Sequence, residues 1–321
     1  MNSTPPRAWA QMPRPIVCLA PMDGITDSAF RRLVRGFSPE VVLFSEFTSA
    51  DGFLRSERVR QRLDYDPVEH PYFVQLLGNN PDSFREAALA LEQQGVAGVD
   101  INMGCPSRKI VHSQHGSGLM REVDQACRIV AAVAGATRMQ VSVKTRLGWS
   151  NADRLIPFAS ALVEAGASLI TIHGRTYDQG FSGKANWAPI HALKETLTVP
   201  VLGNGDVAHL DDGLARMGNL DGFMIGRAAI GNPWVFLPES RRQPSLPERT
   251  EVMRRHFELM RQDRPERRAV IEFRKHMVGY LKGFDLAKSA RMSLLQAPDE
   301  ASLLHRLHLL AQGPHLLARA G

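Results

Sequence analysis

The sequence predicts a (β/α)8 barrel followed by a small C-terminal helical bundle, and three observations carry that prediction. Eight short apolar runs recur through residues 1–240, segments with helical periodicity lie between them, and past residue 240 helix signals continue with no strand signal. The runs are Ile16–Ala20, Val41–Phe47, Tyr72–Leu77, Val99–Asn102, Met139–Thr145, Leu169–His173, Val199–Gly203 and Gly222–Ile225. Each is too short for a helix and rich in Val, Ile, Leu or Phe, as in a parallel strand buried on both faces. A doubly wound sheet would carry a G-x-G-x-x-G turn after its first strand, and none follows Ile16–Ala20.

Between the strands, helices are expected from Pro81 through Leu91, from Asp124 through Val133, over Leu155–Ala165 and from Asp211 to Met217. Gly95, Gly135, Gly166 and Gly218 read as helix stop signals. Pro238, Pro244 and Pro247 punctuate a linker, which divides the chain into a barrel over 1–240 and a helical domain over 241–321. Ser245-Leu246-Pro247-Glu248 reads as a capping box with proline inside the helix start. Helices then follow over Pro247–Gln262, Pro265–Lys282, Lys288–Gln296 and Pro298–Ala311.

Composition narrows the function. An apolar fraction of 44% and a charged fraction of 22% in 321 residues exclude intrinsic disorder and collagen. No apolar run approaches the roughly 18 residues of a membrane span, and Met1 to Arg14 has no apolar h-region, so neither a membrane nor a secretory signal is expected. Cys18, Cys105 and Cys127 are odd in number and far apart. They fit neither a disulfide framework nor a zinc pattern, which implies a reducing, cytoplasmic setting and no metal site. Residues 1–240 hold 23 Lys and Arg against 24 Asp and Glu, whereas residues 241–321 hold 16 against 9. The basic tail is either a solvated arginine-rich surface or the footprint of a polyanion such as nucleic acid.

Chemistry in such a barrel sits at the C-terminal ends of the strands. Those ends carry Ala20-Pro21-Met22-Asp23, Glu46, Gln75, Asn102-Met103-Gly104-Cys105-Pro106, Lys144 with Arg146, His173 with Arg175, Gly203-Asn204-Gly205-Asp206 and Gly226-Arg227. The last two glycine-bearing exits follow strands seven and eight, the usual place for a phosphate, and Arg227 adds a guanidinium suited to bidentate contact. Lys144 closes an otherwise apolar strand, where an ammonium needs an anion or ligand oxygen unless it snorkels to the rim. The N1/C2 edge of a flavin would be such a partner. Gly104 and Pro106 shape a tight turn that presents Cys105 to the cavity as a general acid, whereas Cys18 and Cys127 read as inert buried thiols.

Taken together, these stretches resemble the tRNA-dihydrouridine synthase family. The resemblance is carried by Leu19-Ala20-Pro21-Met22-Asp23-Gly24-Ile25-Thr26-Asp27, Gln75-Leu76-Leu77-Gly78, Asp100-Ile101-Asn102-Met103-Gly104-Cys105-Pro106, Val143-Lys144-Thr145-Arg146-Leu147-Gly148-Trp149, Ile172-His173-Gly174-Arg175-Thr176, Gly203-Asn204-Gly205-Asp206 and Met224-Ile225-Gly226-Arg227. Phe273-Arg274-Lys275-His276 and Tyr280-Leu281-Lys282-Gly283 extend it into the helical domain. It implies an FMN-dependent enzyme that reduces the C5=C6 bond of particular tRNA uridines, with NADPH, or NADH, as reductant. Pro21, Met22 and Asp23 would line the isoalloxazine, Gln75 and Lys144 its polar edge, and His173 would hydrogen-bond near the ring. Asn204, Gly205 and Asp206, with Gly226 and Arg227, would hold the ribityl phosphate end. Cys105 would protonate uracil C5 while reduced FMN delivers hydride to C6. Asn102, Arg108, Lys109, Arg175 and Arg274 are candidate RNA or uridine contacts.

The resemblance also implies extrusion of the target base, a tRNA-binding role for the basic helical domain, and no obligatory protein partner. A D-loop position is expected, because the bacterial family mostly acts there. The alternatives are an FMN barrel oxidoreductase acting on a free pyrimidine and a tRNA-binding protein without catalysis.

Overall fold

Parallel strand pairing dominates the computed structural model, which describes residues 9–316 apart from 242, 285, 287 and 314. The opening eight residues and the last five of the predicted helical domain lie outside the described residues. The strands are β1 (Ile16–Leu19), β2 (Leu43–Phe44), β3 (Thr48–Ser49), β4 (Tyr72–Leu77), β5 (Gly98–Met103), β6 (Gln140–Arg146), β7 (Leu169–His173), β8 (Val201–Asn204) and β9 (Gly222–Ile225). The helices are α1 (Ser28–Phe37), α2 (Ala50–Arg55), α3 (Glu57–Arg60), α4 (Pro81–Gln93), α5 (Arg108–His112), α6 (Val123–Ala136), α7 (Leu155–Glu164), α8 (Ala188–Thr196), α9 (Leu210–Met217), α10 (Leu246–Asp263), α11 (Glu266–Tyr280), α12 (Lys288–Leu295) and α13 (Glu300–Gln312).

The chain divides into two compact units, residues 1–23 with 40–226, and residues 24–39 with 227–321. In the first, the strands run β1-β9-β8-β7-β6-β5-β4-β2, and β3 adds to β4. A parallel bridge between Cys18 and Val42, with Leu19 N–H donating to the Val42 carbonyl at 3.0 Å, joins the two end strands. The predicted barrel is therefore what forms. Its core packs large side chains at the strand starts: Trp9 lies 4.2 Å from the Phe73 ring and 6.4 Å from Phe44, among Ile16, Leu169 and Leu202. That plug fills the N-terminal end and leaves the polar residues for the opposite end.

Several expectations shift locally. The second run is strand only at Leu43–Phe44, because Glu46 and Phe47 already leave the sheet. Gly135 lies inside α6, where an added methyl group would meet nothing within 4 Å, so it stops nothing. Gly95, Gly166 and Gly218 do follow helices with positive φ.

The second unit is helical, as the tail's pattern predicted, and it also contains α1. Asp27 caps α1, its carboxylate accepting from Phe30 N–H at 2.9 Å. The Ser245–Glu248 capping box opens α10 as read. Phe30, Phe257, Phe273 and Tyr280 fill the core around two buried histidines, His256 and His276, whose rings stand 4.5 Å apart. Arg264 pairs with Asp27 at 2.9 Å and Glu272 at 2.6 Å.

Candidate active site

Strand register builds the site in layers. Gln75 of β4 lies beside Asp100 of β5, which lies beside Ser142 of β6; one level nearer the strand ends, Asn102 pairs with Lys144. Residues two apart on a strand face the same way, so Asp100 and Asn102 share a side. Asp100 is fully buried and accepts from Gln75 Nε2 and from Ser142 Oγ, both at 2.6 Å. Burial pushes its carboxyl up to about 6 despite those two donors and Lys144 nearby. Because the carboxylate only accepts, it fixes Gln75 with its amide nitrogen inward and its oxygen outward. That oxygen accepts from Asn102 Nδ2 at 2.8 Å, so Asn102 Oδ1 is left to accept from Gly104 N–H at 3.1 Å and Cys105 N–H at 3.0 Å. The orientation of a buried acid is thus passed to the turn that holds the cysteine.

Cys105 is half-buried, and burial raises its thiol pKa, against lowering by the Ser107 backbone and Arg146. It lines a cleft of about 540 Å³ together with Ser107, Arg108, Tyr177, Asp178 and Phe181. Arg146 ties the two sides of that cleft: its Nε donates to Gly104 O at 2.7 Å, and its Nη1 donates to Thr176 O at 3.1 Å and Gly180 O at 2.7 Å. Desolvation lowers this guanidinium to about 10.

Lys144 Nζ donates to Asn204 Oδ1 at 3.2 Å, its one hydrogen bond among the described residues, and Asn204 Nδ2 donates to Met224 O at 3.0 Å. Burial, then the charge of Arg146, lowers the lysine to about 8. Beyond Asn204 the backbone turns through Gly205 at φ +115° and Asp206 at φ +56°. The turn rests on Trp187, whose Nε1 donates to Gly205 O at 3.2 Å. Only glycine fits at 203, since a Cβ there would sit 2.1 Å from the Trp187 ring. Asp206 accepts from Arg175 Nη2 at 2.8 and 2.7 Å and from Ala185 N–H at 2.8 Å. Arg175 itself is only 2% exposed and also donates to the Ser182 and Gly183 carbonyls, so its side chain braces this turn.

The remaining sequence candidates spread more widely. Pro21 and Met22 are half-buried, with Met22 Sδ 3.9 Å from where a Cβ on Gly226 would lie. Asp23 is exposed and lies 3.4 Å from Arg62. Gln75 is buried, with both amide ends engaged. His173 ends β7 beside Asn204, its Nε2 3.4 Å from where a Gly205 Cβ would lie. Arg108 and Lys109 start α5 and are exposed. In the helical unit, Arg227 is exposed at the start of a 3-10 turn, and Arg274 is half-buried, donating to Ala297 O at 3.2 Å.

Sequence reasoning missed Asp100 as the anchor, Arg146 as the tie, and the aromatic loop at Tyr177–Phe181. An acid inside an apolar strand was the available signal for the first; nothing local marks the other two. Among the described residues no cluster of three or more His, Cys, Asp or Glu could hold a metal ion, and no helix is long and apolar enough to cross a membrane.

Residues 18–312 match the dihydrouridine synthase (Dus) family. A probable tRNA-dihydrouridine synthase 1 of Synechocystis sp. is 36% identical over 291 residues, covering 87% of this chain and 82% of that protein. A probable tRNA-dihydrouridine synthase of Staphylococcus aureus is 33% identical, covering 91% of this chain and 92% of its own length, and one of Rickettsia prowazekii is 32% identical, covering 91% and 93%. Among solved structures, morphinone reductase shares the fold with a TM-score of 0.53 at 12% identity, covering 75% of this chain and 90% of its own. The resemblance read from the strand-end motifs is thereby confirmed across nearly the whole sequence, and the chain belongs to the dihydrouridine synthase family.

Proposed function

We propose that this protein is a cytoplasmic, FMN-dependent tRNA-dihydrouridine synthase. It reduces the C5=C6 bond of a D-loop uridine to 5,6-dihydrouridine, with NADPH as reductant. The observation that carries this reading is the placement of Cys105 on a ligand-sized cleft, on a turn held by Asn102, in a chain of this family.

The residues present suit FMN. Lys144 is an ammonium in a desolvated setting whose only hydrogen bond among the described residues goes to a neutral amide, a place where an anionic ring edge is favoured. The turn of Gly203, Asn204, Gly205 and Asp206 is small, braced by Arg175 and Trp187, and it follows the seventh barrel strand, where phosphates bind. Asn204, Gly205 and Asp206, with Gly226 and Arg227, would hold the ribityl phosphate end, Asp206 through its backbone, since its carboxylate is engaged. Pro21, Met22, Asp23 and His173 would flank the ring, with Gln75 and Lys144 at its polar edge. When bound and reduced, FMN supplies the hydride that saturates uracil C6.

The chain's own residues do the rest. A raised pKa keeps the Cys105 thiol protonated at neutral pH, so it can give its proton to C5 as negative charge develops there. Asn102 and Arg146 fix the turn so that the sulfur keeps its place. Lys144 and Arg146 lower the cost of the thiolate left behind. The helical unit would dock tRNA, through arginines that are not already neutralised. Supplying purified enzyme and NADPH with unmodified tRNA, free uracil and orotate tests the reading. Dihydrouridine in tRNA alone is the expected product, and reduction of a free base instead would overturn it.

A further inference from the structure

We infer that the aromatic loop beside Cys105 seats the nucleotide next to the target uridine, with Phe181 stacking on its base and Arg108 meeting its phosphate. The inference rests on the tRNA reading above. Phe181 is 60% exposed, the only aromatic side chain among the exposed large hydrophobics of the described residues. Barrel packing gives no reason for a phenyl ring held out to solvent, yet the ring lines the same cleft as the cysteine.

The loop that carries it is tied at several points. Arg146 lies over the Phe181 ring, 5.5 Å from its centroid, while bonding to carbonyls of the Phe181 loop and of the cysteine turn. Tyr177 stacks on Trp149 at 4.0 Å, and the N–H groups of Tyr177 and Asp178 donate to Gly148 O and Trp149 O at 2.9 and 3.0 Å. A ring fixed in advance loses little conformational entropy when a base lies on it. Extruding one nucleotide strips its neighbours of stacking, and a base–aromatic contact replaces that loss whatever the sequence. Arg108 stands exposed on the same cleft with no ion pair among the described residues, which suits a backbone phosphate.

The test compares wild type with Phe181→Leu, Phe181→Ala, Phe181→Tyr and Arg108→Gln. The substrates are unmodified tRNA and the same tRNA with an abasic nucleotide on either side of the target uridine. Phe181→Leu and Phe181→Ala should each lose about tenfold in kcat/KM, mainly through KM, and Phe181→Tyr should stay within about twofold of wild type. Flavin content should not change. Arg108→Gln should weaken tRNA binding a few-fold and flatten its salt dependence. An abasic neighbour on one side should cost wild type about the same tenfold and add little to Phe181→Ala, because both remove one contact. A leucine variant equal to wild type, or penalties that simply multiply, overturns the seat while the function stands. Wild type unable to form dihydrouridine in tRNA overturns both.

Discussion

Asp100 in the barrel unit and His256 in the helical unit are both wholly buried ionisable groups, yet they sit in opposite kinds of surroundings. Asp100 begins a directional chain, in which each donor has one acceptor, that passes sideways to Gln75, then outward to Asn102, and finishes at the backbone N–H of the half-exposed Cys105. His256 ends on rings: Nδ1 meets Tyr280 Oη at 3.0 Å, and Phe30, Phe273 and His276 surround it. Its Nε2 and the Nδ1 of His276 have no hydrogen-bond partner among the described residues. Burial therefore orients a reactive group in one unit and only forbids charge in the other. A polar residue is tied to chemistry when its hydrogen bonds lead to the cleft, and burial alone does not make it so.

The largest effect expected from breaking the barrel chain is at its end. Cys105→Ala should slow dihydrouridine formation by roughly 10²–10⁴-fold while flavin content and tRNA affinity hold, measured by single-turnover reduction. One link back, Asn102→Ala frees the Gly104 and Cys105 amides and should cost roughly ten- to a hundredfold in kcat with little change in KM for tRNA. An unchanged kcat would remove Asn102 as the holder of the turn.

Lys144→Met sharpens the contrast by separating stability from function. The lysine's folded-state pKa lies near 8, below the ~10.4 of an unfolded chain, so its charge opposes folding at neutral pH. The flavin-free variant should be more stable than wild type at pH 7, by up to about 2 kcal/mol, and the gain should fade as pH rises past 8 towards 10.5. Flavin retention should fall in the same protein.

For the helical unit the effect falls on stability alone and appears as pH drops. Burial holds His276 down at about 4 and His256 well below its ordinary value. Unfolded histidines titrate near 6.5, so between about pH 6.5 and 4 the unfolded chain binds more protons and stability falls as pH drops. The slope is at most about 1.4 kcal/mol per pH unit for each histidine. Asp27 and Glu272 oppose the shift at His276, whereas Lys275 and Arg264 reinforce it. Urea midpoints at pH 7.5 and 5 should show the loss, and His276→Phe should flatten it. The smallest effect belongs to surface charge. Arg254 is neutralised by Glu251 and Glu258, and Arg268 by Glu272, so reversing Arg255 and Arg267 instead should weaken tRNA binding a few-fold each in low salt.

Much of this was legible beforehand, for identifiable reasons. Fully buried parallel strands announce themselves as apolar runs, and Tyr72–Leu77, Leu169–His173 and Gly222–Ile225 form to the residue. Gly104-Cys105-Pro106 marked its own turn, and Lys144 stood out as a charge closing an apolar strand. What stayed hidden depends on partners distant in sequence. Nothing local says that Arg175 meets Asp206, 31 residues on, or that Arg146 reaches three carbonyls on two loops. The stretch 48–69 breaks into pieces of two to six residues, too short for any periodicity to register.

The discontinuity of the helical unit has a consequence for biosynthesis. Helix α1 leaves the ribosome more than 200 residues before α10, the helix it packs against within that unit. At about 5–20 residues per second it waits on the order of ten seconds or longer with Phe30 and Leu33 uncovered. A transplant of the tail alone onto another protein would carry the same gap permanently, so any graft must bring residues 24–39 along with it.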